Sequence, residues 1–152
     1  MANLPFGFDT PEHSPGLLLW QTTTCWQRLI KKSLEPYNIS HSQFVILAIL
    51  LWWRGKNKDV TQVNIVNMSK LDKMTVSKSL KKLVSIFLVK RYENKKDTRA
   101  KSVLLTKSGV DLVKKLVPLV EGIDAVFFGK LKSKEEQNLI MTLQKLAVNS
   151  RD

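Results

Sequence analysis

Cysteine is nearly absent from this sequence: Cys25 is the single one in 152 residues. An intramolecular disulfide framework is therefore excluded, and a reducing compartment, the cytoplasm, is the expectation. Histidine is almost as scarce. His13 and His41 have no Cys, His, Asp or Glu neighbour at metal-ligand spacing, so neither a metal nor a cofactor is expected. No GxGxxG or GxxxxGKS/T loop occurs, which removes the commonest phosphate cradles. No nucleophile–base arrangement is legible locally, so an enzyme is not expected. The longest apolar run, residues 44–53, is about half of what spans a bilayer and reads as a buried helix, so no membrane partner is expected. Residues 1–16 have no basic stretch ahead of an apolar one and do not read as a secretory leader.

Acidic side chains are the other shortage. Twenty-five Lys and Arg face 13 Asp and Glu, a net charge of +12. Such an excess attracts polyanions. It is also focused: residues 70–101 hold eleven cations and three anions (Asp72, Glu93, Asp97), which is +8 of the +12 in about a fifth of the chain. A length of 152 residues suits one domain with a core that hides ~70% of the extended surface.

Hydrophobic periodicity divides the chain into helices and a hairpin. The first 14 residues, with Pro5, Gly7 and Pro11, read as an extended arm. Ser14 as a cap and Pro15 at the first helical position open a helix to about residue 34, apolar over a wide arc. Ser40 to Gln43 is a capping-box pattern ahead of the run 44–53. A polar connector, 54–59, leads to a short helix at 61–68, with Val63 and Val66 as expected anchors.

The next helix, about 73–86, carries the most information. Asp72 is its expected cap, and Val76, Leu80, Leu83 and Phe87 fall on one stripe, the expected buried face. The opposite face carries Met74, Ser77, Lys78 and Lys81, flanked by Lys73, Thr75 and Lys82, and no carboxylate follows Asp72 in the helix. A solvated helix face would more often hold Glu–Lys pairs. The period then changes to two: a strand at 88–92, a polar turn at 93–100 bearing Lys95, Lys96, Asp97 and Arg99, and a returning strand from Lys101 to Thr106. A basic helix fits the major groove of duplex DNA, and a thin basic hairpin can put one Arg into the adjacent minor groove. Thr106 caps a long helix, 107–128, which Pro118 is expected to kink or divide. Residues 133–136 read as a second capping box, opening a last helix to about 149 with Leu139, Leu143 and Leu146 as its buried face.

Asp97–Thr98–Arg99, Val103, Leu105–Thr106 and Gly109 fit the wing pattern D-x-R-x-x-x-x-x-L-T-x-x-G. With Thr75 to Lys78, and Leu83 followed by Leu88 to Arg91, the chain resembles the MarR family of winged-helix regulators over residues 16–149. The resemblance implies a mainly α fold with a small β-wing: one domain, 1–152, with a winged helix-turn-helix at 40–106 between dimerisation helices at 16–35 and 107–150. It also implies a homodimer that binds a pseudo-palindromic operator in double-stranded DNA, commonly as a repressor released by a small aromatic ligand. Arg99 would enter the minor groove, Asp97 would brace the wing, and Thr75, Ser77 and Lys78 would face the major groove. The family usually has Gly where this chain has Phe87; a left-handed Phe is strained, so the helix is expected to end in another conformation.

Three further readings follow. Trp20, Trp26, Trp52 and Trp53 are candidates for an aromatic effector pocket, against the plainer reading of core residues. Cys25 is a candidate redox site, since some family members, those resembling OhrR, sense peroxide with a first-helix cysteine; set among apolar residues, a thiol is ordinarily buried and inert. A winged helix used for protein–protein contact, without specific DNA binding, is the alternative from another class. A peripheral membrane binder would need exposed bulky apolar residues on the basic helix, which offers mainly Met74.

Overall fold

The computed structural model describes residues 4–56, 59–97 and 99–149. Part of the 54–59 connector, residues 57 and 58, and Thr98 of the wing lie outside the described residues. The elements in order are α1 (Pro15–Leu34), α2 (His41–Trp53), β1 (Val60–Thr61), α3 (Gln62–Ser69), α4 (Lys73–Ser85), β2 (Val89–Glu93), β3 (Lys101–Leu105), α5 (Lys107–Phe128) and α6 (Ser133–Asn149), with 3-10 turns before and after α1.

Local side-chain chemistry sets the helix starts. Ser14 Oγ accepts the Leu17 N–H at 3.2 Å, behind Pro15. Ser40 Oγ accepts the Gln43 N–H at 3.1 Å while the Gln43 amide oxygen accepts the Ser40 N–H at 3.0 Å, closing the capping box of α2. Thr61 and Asn64 repeat the device at α3. There the buried anchor is Ile65, with Val66 beside it, and Val63 is exposed. Two residues from Ile65 is about 200° around a helix, so Val63 cannot share its face.

The core lies where α1, α2, α4 and α5 meet. Ile30, Leu34, Ile46, Leu47, Leu80, Leu83, Val113 and Leu116 are closed to solvent, each contributing on the order of 1.5–3 kcal/mol. The sheet order is β1-β3-β2, all antiparallel, with Val103 paired to Val60 on one side and Arg91 on the other. β1 has only two residues, too few for a period-two signal, and the sequence reading has two strands rather than three.

Phe87 departs from expectation twice. It lies outside the buried stripe, 78% exposed, and it adopts the left-handed conformation at φ 62°. The Phe87 N–H donates to the Val84 carbonyl and the Leu88 N–H to the Leu83 carbonyl, both at 3.0 Å. This is a Schellman cap, and buried Leu88 packs its hydrophobic partner onto the end of α4. The cap geometry holds although a phenylalanine occupies the position that favours glycine, because satisfying two carbonyls offsets roughly 1–2 kcal/mol of backbone strain.

α5 runs unbroken through Pro118, so the proline does not divide it. α6 begins one residue earlier than the serine box implied: Lys132 is the cap, its N–H donating to Glu135 Oε1 at 2.9 Å, and Ser133 is the first helical residue. The expected buried face of α6 is not buried in this chain. Leu139 is half-buried, Leu143 and Leu146 are exposed, and no described α6 residue joins the core. The apolar spacing is present, but among the described residues Ile140 and Leu143 lie in solvent rather than in the core.

Candidate nucleic-acid interface

The helix-turn-helix is α3, a three-residue turn and α4. Lys70 turns left-handed at φ 61° to close α3. Asp72 then caps α4, its Oδ1 accepting the Thr75 N–H at 2.8 Å and its Oδ2 the Thr75 hydroxyl at 2.7 Å. These bonds hold the Asp72 carboxyl below its ordinary pKa. They also engage Thr75, which is half-buried and has its hydroxyl proton committed to the cap. Met74, Ser77, Lys78 and Lys81 are exposed together on the side of α4 away from Val76, Leu80 and Leu83, with exposed Lys73 at the flank. Among the described residues the ion pair within 4.0 Å is Asp97 with Arg99, so the α4 lysines keep their charge for an external anion.

The wing projects from β2 and β3. Lys95, Lys96, Asp97, Arg99 and Lys101 are all exposed on it, and the Arg99 side chain is 93% open. Asp97 Oδ1 accepts the Arg99 N–H at 3.1 Å and lies 3.5 Å from its Nε. Beneath them is a residue that sequence reading passed over. Asn94 is buried, its Oδ1 accepting the Lys96 N–H at 2.9 Å and the Asp97 N–H at 3.2 Å, its Nδ2 donating to Ser102 Oγ at 2.8 Å. An Asn directly after a strand and ahead of a polar turn is an Asx-turn signal that could have marked it. Arg91, directed back toward α3, donates to Gln62 Oε1 at 3.4 Å.

The other candidates disperse. Trp26 is half-buried, donates its indole N–H to Asp124 Oδ1 at 2.7 Å, and meets the His41 ring edge-on at 5.1 Å. Trp52 and Trp53 pack edge-to-face at the other end of α2, about 18 Å away at 1.5 Å per residue, with Lys56 Nζ 3.8 Å over the Trp52 ring. Trp20 is exposed on α1. One chain thus places the four tryptophans at three separate places, with only Trp52 and Trp53 together. Cys25 is exposed rather than buried, since only Ile30 and Leu34 of α1 are closed to solvent. A groove of about 640 Å3 lies between α1 and the start of α2, lined by Arg28, Lys31, Glu35, His41 and, from α4, Lys82. Burial pushes the His41 imidazole below its ordinary pKa, and Asp124 pulls it back up. Among the described residues no group of three His, Cys, Asp or Glu could hold a metal ion, and no helix is long and apolar enough to cross a membrane.

Comparison with known proteins decides the family. Residues 35–122 match the winged-helix domain described as ArnR1-like. The chain belongs to the ArnR1-like winged-helix family. Among relatives of this winged-helix protein, an uncharacterized HTH-type transcriptional regulator of Bacillus subtilis, YdcH, is 35% identical over 91% of this chain and 93% of its own length. The transcriptional regulator HosA of Escherichia coli is 25% identical over 91% of this chain and 94% of its own. A mutant MarR of Escherichia coli, solved in complex with operator DNA, superposes with a TM-score of 0.75 at 26% identity, over 86% of this chain and 91% of that one. The fold is shared as well with BpsR of Bordetella bronchiseptica, studied for regulation of DNA binding by 6-hydroxynicotinic acid: TM-score 0.82, 24% identity, 98% and 100% covered. This winged-helix protein is therefore a transcriptional regulator of the MarR type.

The L-T-x-x-G motif of the regulator has a structural meaning. Thr106 Oγ1 accepts the Gly109 N–H at 3.0 Å, capping α5, and donates to the Phe87 carbonyl at 2.7 Å; the Thr106 N–H donates to the Leu88 carbonyl at 3.0 Å. One threonine thus joins the end of α4, the last wing strand and the start of α5.

Proposed function

We propose that this chain acts as a homodimeric repressor that binds a pseudo-palindromic operator in double-stranded DNA, with α4 in the major groove and the wing in the adjacent minor groove. The observation that carries the reading is the exposed, unpaired cationic face of α4 beside a wing whose Arg99 is almost fully open. The lysines neutralise phosphates and release counterions, and Ser77, Lys78 and Met74 stand where base edges would lie. Dimerisation through 16–35 and 107–150 is supported by the apolar side chains those helices leave in solvent: Leu18, Leu19 and Trp20 on α1, Val126 on α5, Ile140, Met141 and Leu143 on α6. A small effector fits the reading through the groove between α1 and α2, whose cations favour an anionic molecule and whose His41 abuts Trp26.

The test is selection of bound duplexes from a random library, which is expected to return half-sites about one helical turn apart. Arg99→Ala and Lys78→Ala are each expected to weaken binding to the selected site roughly 5- to 150-fold, with the dimer intact by light scattering. Unchanged affinity in both variants would refute the DNA-reading assignment. A duplex-independent phenotype with no selected sequence would favour the protein-contact alternative.

A further inference from the structure

The Arg99 guanidinium is almost fully exposed, and its only described polar partner is Asp97. Its place in space is therefore set by the backbone of the wing tip, and what fixes that backbone decides where the cation points. Residues 94–100 form the tip between Glu93 and Lys101. By sequence the tip is short and polar, and none of its described residues joins the apolar core. Its base is closed by the Asn94 N–H donating to the Ala100 carbonyl at 3.0 Å, and the Asp97 carbonyl accepts the Ala100 N–H at 3.0 Å.

Among the described residues of the tip, Asn94 is the buried one. Backbone N–H groups only donate, so the Asn94 amide oxygen must face Lys96 and Asp97, and its NH2 must face the Ser102 hydroxyl. Ser102 is closed to solvent on β3 and paired across the sheet with both Tyr92 and Thr61. The relay therefore runs from the middle strand of the sheet, through Asn94, to the Asp97 backbone, and from the Asp97 carboxylate to Arg99.

We propose that Asn94 is the positioning residue of the wing: it ties the loop that carries Asp97 and Arg99 to Ser102 of β3 and so presets the minor-groove cation. The assignment rests on the wing reading given above. Alanine at 94 has no acceptor for the two N–H groups and no donor for Ser102, so the loop loses its interior tie while β2 and β3 keep their ladder.

The experiment measures affinity for a labelled 30-base-pair alternating A·T duplex over a range of salt concentrations, for wild type, Asn94→Ala, Arg99→Ala and the double variant. Each single variant is expected to bind about tenfold more weakly, with the slope of log affinity on log salt shallower by about one, since one cation leaves the interface. The double variant is expected to be no weaker than Arg99→Ala. Amide hydrogen exchange supplies a reading that needs no DNA: protection at Lys96 and Asp97 is expected in wild type and Arg99→Ala, and lost in Asn94→Ala. A folding defect alone would lower affinity at unchanged slope and add to Arg99→Ala, and that result overturns the proposal. Weakened Arg99→Ala with wild-type behaviour of Asn94→Ala also overturns it and leaves the wing reading standing. Unchanged affinity and slope in Arg99→Ala overturns the wing reading and the Asn94 role together.

Discussion

Gly109→Ala is a perturbation whose sign separates local preference from packing. Gly109 lies in the first turn of α5, and helix propensity alone says that alanine should stabilise by ~1 kcal/mol. The surroundings say the opposite. A Cβ at Gly109 would overlap the Leu88 carbonyl oxygen, and would lie 3.1 Å from the Leu88 carbonyl carbon and 3.2 Å from Leu105 Cδ2. The obstructing oxygen is backbone. It accepts the Thr106 N–H, and Leu88 itself is held by the Schellman cap and by burial. Overpacking costs about 1–3 kcal/mol, and displacing the Leu88–Thr106 hydrogen bond about 1 kcal/mol more. Against the propensity gain, a net loss of about 1–3 kcal/mol remains. For a chain of this size that lowers the melting temperature by roughly 3–10 °C. Circular dichroism at fixed protein concentration measures it. A melting temperature equal to or above wild type would show that α5 and the α4–β2 junction separate freely, and the close-approach reasoning would fail.

Three other outcomes are expected. Phe87→Gly should be at least as stable as wild type, because the ring is mostly exposed and glycine accepts φ 62° without strain, whereas Phe87→Val should melt lower; a loss above about 1 kcal/mol in Phe87→Gly would mean the ring is covered in solution. His41 is held below its ordinary pKa of 6.5, so the unfolded chain binds its proton more readily; this contribution to stability is complete above pH 6.5 and declines as pH falls below it. Melting temperature should therefore drop more between pH 7.5 and 5.5 in wild type than in His41→Gln, and equal drops would assign the dependence elsewhere. Cys25 is open in a single chain, so the redox reading predicts that peroxide releases DNA from wild type and not from Cys25→Ser; equal release from both sinks it.

Much of this architecture is legible in the sequence because its signals are local. Ser14, Ser40, Asp72 and Thr106 each cap the helix they precede, within three residues of the amide they satisfy. The wing reads from a change of period and a run of cations. What sequence misses is settled over longer distances. β1 exists because two residues pair with β3, more than forty positions later. Phe87 has the spacing of a core residue, yet the helix ends at Ser85 and the backbone turns left-handed at Phe87 itself, leaving the ring exposed. Leu143 has the right periodicity for burial yet is exposed, and among the described residues no part of α6 joins the core. At the interface itself, α4 supplies its cations as the pattern says, but Thr75 is drawn into its own cap, and the residue holding the wing tip is an asparagine whose type signals only a turn.

The threonine that locks the wing to α5 turns that helix into a lever. α5 has 22 residues, which at 1.5 Å each makes a rod of about 33 Å. At one end Thr106 grips the wing strand and the end of α4; about one turn from the other, Asp124 holds Trp26 of α1 beside His41. A rigid rod pivoting by about 5° at its far end moves its near end by about 3 Å, close to the 3.4 Å rise of one base step. Angular changes too small to disturb the packing of α1 against α5 are thus large enough, at the wing, to be counted in base pairs.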